Sequence, residues 1–385
     1  MAKNLIKIIF LFLFLTTFNL SAQWSILRTE ADSLIKVGSD HIYNVEFDSA
    51  YTCFKEVIRM YPEHPAGYFL DAMVEWWKII LYRETRIYDG IFLSKIQKVI
   101  DICDKGLDSN SYDITFLFFK AGAMGYRGRF YAIREMWLKA ANDGKDGFDL
   151  FIKCLNLAPN NHDIMLGTGI FNYFAAALPE KYPILTTLAP FLPKGDKQLA
   201  IAQLKSSARY ARYTQVEAKV VLLQIFYDFE DNFKEALPIA EELNSKYPKN
   251  PFFQRYLGRC YVTQGYLDKS EIVWREAIKL YIRKEYGYDR LMAREALYYV
   301  GMSLFYKDEY TMAIKYFEKC LEATGYVDKE QTGFLVQATL YLGKLNDLTA
   351  QRQKAISFYK KVLDYKDNQH SHLEAHEYIK KPFKR

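Results

Sequence analysis

The chain has 385 residues, of which 50% are hydrophobic and 25% charged, a balance that excludes a disordered polymer. Sparse Gly (19) and Pro (11) exclude collagen-like or linker-rich architectures. The formal net charge of +6 is too small and too dispersed to indicate a nucleic-acid surface.

Residues 1–22 read as a signal peptide. Lys3 and Lys7 give a positive start, Ile8 to Leu15 an unbroken apolar run, and Ser21-Ala22 small residues before Gln23. The run falls short of the roughly 20 residues that span a bilayer, so cleavage is expected rather than anchoring. Cleavage there removes two lysines and no acid, leaving a mature charge of 50 − 46 = +4. No cysteine precedes Cys53, so a lipid-modified N-terminal cysteine is not expected. No later segment is long and apolar enough to cross a membrane. The mature chain is therefore expected outside the cytoplasm, periplasmic or secreted.

Beyond residue 30 apolar residues recur at i, i+3, i+4 and i+7, the helical period. Strand-like alternation is missing, so the fold class is all-α. Leu34, Val37 and Gly38 are followed by Ala50, Phe54, Val57 and Pro62. Later stretches match. Leu223 and Tyr227 precede Ala236, Ala240, Leu243 and Pro248, and Leu257-Gly258-x-x-Tyr261 precedes Ser270, Trp274 and Ala277. Val300-Gly301-x-x-Leu304 precedes Ala313, Phe317 and Cys320, and Leu342-Gly343 precedes Ala355, Tyr359 and Val362. The glycine and the small residue belong where two helices cross closely, and the aromatic fills the gap to the next unit. Pro62 and Pro248 end helices.

This pattern resembles the tetratricopeptide repeat (TPR), a pair of antiparallel helices. The resemblance covers residues 31–64 and 217–366. It implies a right-handed α-α superhelix: N-terminal helical repeats over 23–160, an irregular helix pair over 161–215, a C-terminal TPR array over 216–366 and a basic, His-containing tail over 367–385.

In the middle, Trp76 and Trp77 lie on a helix ending near Tyr82. Helices are expected at about 91–107, 111–125, 129–141 and 147–157. Leu166 to Tyr173 starts a helix that Pro179, Pro183, Pro190 and Pro193 interrupt, and Lys194-Gly195-Asp196 opens the next, to Tyr210. This helix, apolar insert and Gly-Asp restart resemble the eukaryotic tetratricopeptide repeat protein 39 family. The uncharged Pro183–Pro193 insert is expected to cap neighbouring helices, or else to touch a partner.

The chemistry-bearing motifs are weak. Gly167-Thr168-Gly169 follows no strand and sits where a helix pair needs small residues. There is no phosphate loop, no H-E-x-x-H and no G-x-S-x-G. His372 and His376 share a helix face, but Glu374 and Glu377 point away and no third metal ligand is at hand. Cys53, Cys103, Cys154, Cys260 and Cys320 are odd in number and lack C-x-x-C spacing, so they read as small buried hydrophobes. No cofactor, no metal and no catalysis are expected.

What remains is a surface. In the family resembled here, the first helix of each repeat lines the concave face. Its inward positions in the last three repeats are Phe252, Arg255, Arg259, Glu295, Tyr298, Met302, Phe305, Gln337, Leu340 and Lys344. Tyr256, Tyr299 and Tyr341 occupy one equivalent position. Arg255, Tyr256, Arg259, Tyr298, Tyr299, Tyr341 and Lys344 are the candidate contacts for an extended protein or peptide partner. The family's carboxylate clamp needs Lys and Asn where Val221, Ile225 and Leu222 stand, so that mode is not expected. The reading is an exported binding or scaffold protein of the cell envelope. The alternatives are an enzyme or accessory subunit acting on envelope polymers, with a site near Asn172, Tyr173 and Asp196, or a self-associating solenoid. The groove reading also predicts that Arg255→Ala with Arg259→Ala weakens capture and leaves melting unchanged.

Overall fold

The computed structural model describes residues 29–182, 186, 193–328 and 330–385. The signal-peptide expectation and most of the Pro183–Pro193 insert lie outside these residues. Among the described residues there are α-helices and one π turn, with no strand. The fold is all-α and built from TPR-like helix pairs. Among the described residues no helix is long and apolar enough to cross a membrane. The described residues divide into two compact units, one lying within 1–39, 49–73 and 90–222, the other within 40–48, 74–89 and 223–385.

In chain order the helices are α1 (Thr29–Tyr43), α2 (Phe47–Met60), α3 (Pro65–Leu81), α4 (Asp89–Ser109), α5 (Ile114–Ile133) and α6 (Trp137–Leu157). Then follow α7 (Ile164–Lys181), α8 (Lys197–Tyr210), α9 (Gln215–Gln224) and the π turn Ile225–Phe229. The remaining helices are α10 (Phe233–Lys246), α11 (Pro251–Thr263), α12 (Leu267–Ile282), α13 (Arg290–Tyr306), α14 (Tyr310–Val327), α15 (Gly333–Leu348), α16 (Arg352–Leu363) and α17 (Ser371–Lys380). Six of the starts are set by side-chain caps. Asp113, Asp196, Asn232, Asn250, Asp289 and Thr332 each accept from backbone N–H groups of the turn that follows.

The repeat is visible in the backbone. Seven residues after Gly38, Gly128, Gly258, Gly301 and Gly343 stand Val45, Glu135, Gly265, Asp308 and Ala350, and all five have positive φ, between 59° and 75°. The next N–H in each case reaches five residues back: Glu46 to His41, Met136 to Tyr131, Tyr266 to Tyr261, Glu309 to Leu304 and Gln351 to Asn346. This is the Schellman arrangement that ends a helix and starts the return. Asp231 (φ 47°) is the counterpart after the π turn, where the Asn232 N–H reaches six residues back to Phe226.

Within the second unit each repeat glycine lies under a ring sixteen residues later. A Cβ on Gly258 would fall 2.5 Å from the Trp274 ring, one on Gly343 2.4 Å from Tyr359, and one on Gly301 3.2 Å from Phe317. The rings are fully buried, and each such burial contributes roughly 1.5–3 kcal/mol. Two of them also meet the next repeat: Trp274 stacks on Tyr299 at 5.0 Å and Phe317 on Tyr341 at 5.0 Å. One ring thus closes its own helix pair and the gap to the next, as the sequence pattern requires. Segments 40–48 and 74–89 pack on the first of these pairs. Trp77 meets Phe252 and Phe253 edge-on, and buried Asn250 donates to the Tyr43 carbonyl at 2.8 Å. Gly287 (φ 82°) turns the α12–α13 loop and donates its N–H to the Tyr82 hydroxyl at 2.7 Å.

In the first unit Gly38 lies under Phe54 in the same way, but the α5–α6 pair solves the crossing differently. A Cβ on Gly128 of α5 would lie 3.2 Å from the Ala140 carbonyl and 3.3 Å from the Gly144 nitrogen. Gly147 approaches Ala121 and Gly125 just as closely. Backbone meets backbone, and Arg127 fastens the pair with two hydrogen bonds to Asp143, 2.6 and 2.9 Å. The expected helices at 129–141 and 147–157 are therefore corrected. The segment Asn142-Asp143-Gly144-Lys145-Asp146-Gly147 reads as a turn but is the middle of α6, where Gly147 serves close backbone contact while a Cβ on Gly144 would meet nothing within 4 Å. The turn is at Glu135.

Candidate functional site

The seven candidate contacts all lie on the first helices of the second unit: Arg255, Tyr256 and Arg259 on α11, Tyr298 and Tyr299 on α13, Tyr341 and Lys344 on α15. They form a chain of neighbours, much of it inside the stack.

At one end, Arg259 holds the Glu295 carboxylate with two hydrogen bonds, 2.5 and 2.9 Å. Arg255 approaches the same carboxylate at 3.5 Å. Glu295 is 3% exposed, whereas both arginine side chains keep about a quarter of their surface in solvent, 27% and 26%. Burial pushes the Glu295 carboxyl up; Arg259 and Arg255 outweigh that, and it stays below its ordinary range. Tyr256 is buried, donates to Asp228 at 2.5 Å and packs edge-on against Tyr227. Burial, then Asp228, pushes its hydroxyl up.

The tyrosines are chiefly packing groups. Tyr299 lies on Trp274, Tyr341 on Phe317, and Tyr298 meets Phe317, Phe334 and Tyr341 edge-on. Burial is the first cause raising all three hydroxyls. Lys344 is 13% exposed, pairs with Glu374 of α17 and faces the Tyr341, Tyr378 and Phe383 rings at 5.4–5.5 Å. Of the other inward positions, Leu340 is fully buried against Val336 and Tyr359 and Phe305 is 4% exposed. Gln337 donates to the Asn368 carbonyl. The sequence pattern signals neither Glu374 nor the tail residues that close over this end, because they come from outside the repeat period.

The other sequence candidates have structural partners. Gly167 lies under the Phe151 ring and Gly169 against Leu204, while Asp196 caps α8 through two bonds of 2.9 Å. Asn172 bonds Gln203 at 3.2 Å and Tyr173 is fully buried. The His372 Nε2 lies 2.8 Å from the Tyr365 carbonyl. Among the described residues no three His, Cys, Asp or Glu side chains converge as a metal site would require. The five cysteines are unpaired, and burial pushes the Cys103, Cys154, Cys260 and Cys320 thiols up to about 12. Their role is packing.

Residues 295–325, most of α13 and α14, match the tetratricopeptide repeat family model. Similar solved structures include PilF of Pseudomonas aeruginosa (14% identity, 67% of this chain and 96% of that one, TM-score 0.42). A thermophilic TPR protein of Thermus thermophilus is similar at 13% identity, 60% and 99% coverage and TM-score 0.37. A putative kinesin light chain of Podospora anserina, described as having nearly identical TPR-like repeats, is similar at 10% identity, 50% and 95% coverage and TM-score 0.35. No curated protein sequence matches the chain.

Proposed function

We propose that this TPR protein is an exported scaffold that binds a protein segment along the first-helix face of its second unit, without catalysis of its own. The matched repeat supports a protein-interaction scaffold in general terms. One observation carries the finer reading. Arg259 is fixed on a buried carboxylate that Arg255 approaches at 3.5 Å, and a quarter of each arginine side chain stays in solvent. Guanidinium groups held this way are pre-organised to meet backbone carbonyls or acids of an extended chain. The lysine and arginine excess stays small after removal of residues 1–22, which suits a protein partner better than a polyanion.

The test is co-purification from the envelope of the cell of origin, with Arg255→Gln beside the unaltered chain. Arg255→Gln leaves the Arg259–Glu295 pair in place, so folding is expected to persist. A discrete protein that is lost with Arg255→Gln supports the reading. Recovery of the chain alone would redirect it to self-association, and a bound glycan to an envelope-polymer enzyme. Export is tested by the N-terminal residue of the mature chain, expected to be Gln23, or a neighbour if cleavage shifts by a residue or two.

A further inference from the structure

After α17 the chain turns back onto the second unit. Lys381 is extended, and residues 382–385, which carry no regular secondary structure, lie across the ends of the first helices α13 and α15. The Phe383 N–H donates to the Asp347 carboxylate at 2.8 Å, and the Phe383 ring lies 5.2 Å from Tyr378 and 6.1 Å from Phe305. The Lys344 ammonium sits 5.5 Å from the same ring. Two residues on, the Arg385 guanidinium donates to the Phe305 and Tyr306 carbonyls at 2.9 and 2.7 Å, and it pairs with Asp308. Those carbonyls are the open C-terminal end of α13, where a cation is favoured.

These contacts are of two kinds. The receiving groups are fixed: Asp347 has no exposed side-chain surface and is also held by Arg352 and by the Tyr359 hydroxyl. The arriving strand rests on two anchors, Phe383 packed against the core and Arg385 on the α13 carbonyls, while Lys384 is exposed, Arg385 keeps 38% of its side chain in solvent, and its acid partner Asp308 keeps 63%. An exposed ion pair of this sort contributes little to holding a chain in place. A rigid receptor that meets a short strand through one ring and one guanidinium is the arrangement of a peptide in its site.

We infer that the ends of α13 and α15 form a peptide-docking site that the tail fills in cis, and that the partner segment carries an aromatic residue two positions before an arginine. The backbone N–H of the aromatic meets Asp347, its ring meets Phe305 and Lys344, and the arginine closes the α13 carbonyls. The inference rests on the binding-face reading above and names its partner chemistry.

The test uses the full chain and a fluorescein-labelled peptide with the sequence of residues 380–385. The tail is weakened by Phe383→Ala with Arg385→Ala. The labelled peptide is expected to bind this variant at least tenfold more tightly than the unaltered chain. A peptide with its Phe replaced by Ala is expected not to bind. Arg385→Gln alone, which removes only a half-exposed side chain, is expected to give an intermediate gain and guards against misfolding of the double variant. Equal binding to all three proteins, or binding to none with helicity intact, overturns the inference. Loss of partner co-purification with Arg255→Gln would survive that result, so the two readings fail separately.

Discussion

The helix pairs α5–α6 and α13–α14 bring the same turn and the same crossing to opposite packing solutions. In α13–α14 a glycine receives a buried ring, and that ring goes on to stack on the following repeat. In α5–α6 the residue in the ring's place is Gly144, and the two backbones touch directly. The turn is the same in both, a left-handed residue seven after the glycine: Asp308 in one, Glu135 in the other. The repeat is thus a backbone object first. A ring at the sixteenth position is one way to fill it, and the way that stacks one repeat on the next.

The comparison can be broken at its strongest joint. Arg259 ties α11 to buried Glu295 of α13, so Arg259→Ala strands a carboxylate that only Arg255 still approaches. We expect a loss of about 3 kcal/mol in chemical unfolding, against little change for Arg255→Gln. This corrects the expectation that alanine at both arginines would leave melting unchanged. In the first unit the counterpart is His64. Its Nδ1 accepts the Ala66 N–H at the start of α3, and its ring lies edge-on to Phe119 of α5. Burial lowers its pKa from 6.5 to about 4, against an opposing pull from Asp113. A depressed value means the neutral ring belongs to the fold. Stability is full above about pH 6.5 and falls as pH drops toward 4, by on the order of 3 kcal/mol. His64→Asn keeps an acceptor without a titrating proton, and denaturant midpoints between pH 7 and 5 are expected to flatten.

The packing contrast itself is sharpened by two alanines. Gly128→Ala forces a methyl against the Ala140 carbonyl and the Gly144 nitrogen, which cannot rotate away, and is expected to cost about 1–3 kcal/mol. A Cβ on Gly144 would meet nothing within 4 Å, so Gly144→Ala is expected to stabilise α6 by about 0.5–1 kcal/mol. Equal losses from both would contradict the backbone-contact account. A similarly small effect is expected at the turn. Val45 holds a β-branched side chain at φ 63° where Gly265 stands in the equivalent position, so Val45→Gly is expected to gain about 1 kcal/mol in thermal unfolding.

The sequence pattern made five repeats legible because each carries its small residues at a fixed spacing, four of them with an aromatic in register. It missed α5–α6 for a physical reason. A search keyed to rings passes over a pair whose ring is Gly144, and Gly144 and Gly147 then read as turn residues. The candidate face was legible as a set of positions, since the seven residues do lie on three successive first helices. Their division of labour was not. Tyr256, Tyr299 and Tyr341 share one register position, and that position points into the stack. What the pattern could not carry was any contact from beyond the repeat, such as Glu374 on Lys344 or Arg385 on the end of α13.

The central claim is that the first-helix face of the second unit binds a protein segment. The most direct measurement replaces Arg255 with a photo-crosslinking residue in the cell of origin, with the same replacement at Ile272, a 70% exposed position on the second helix α12, as control. The account predicts one discrete crosslinked protein from position 255 and none of it from position 272. Equal crosslinking at both positions, or none at 255, would contradict it.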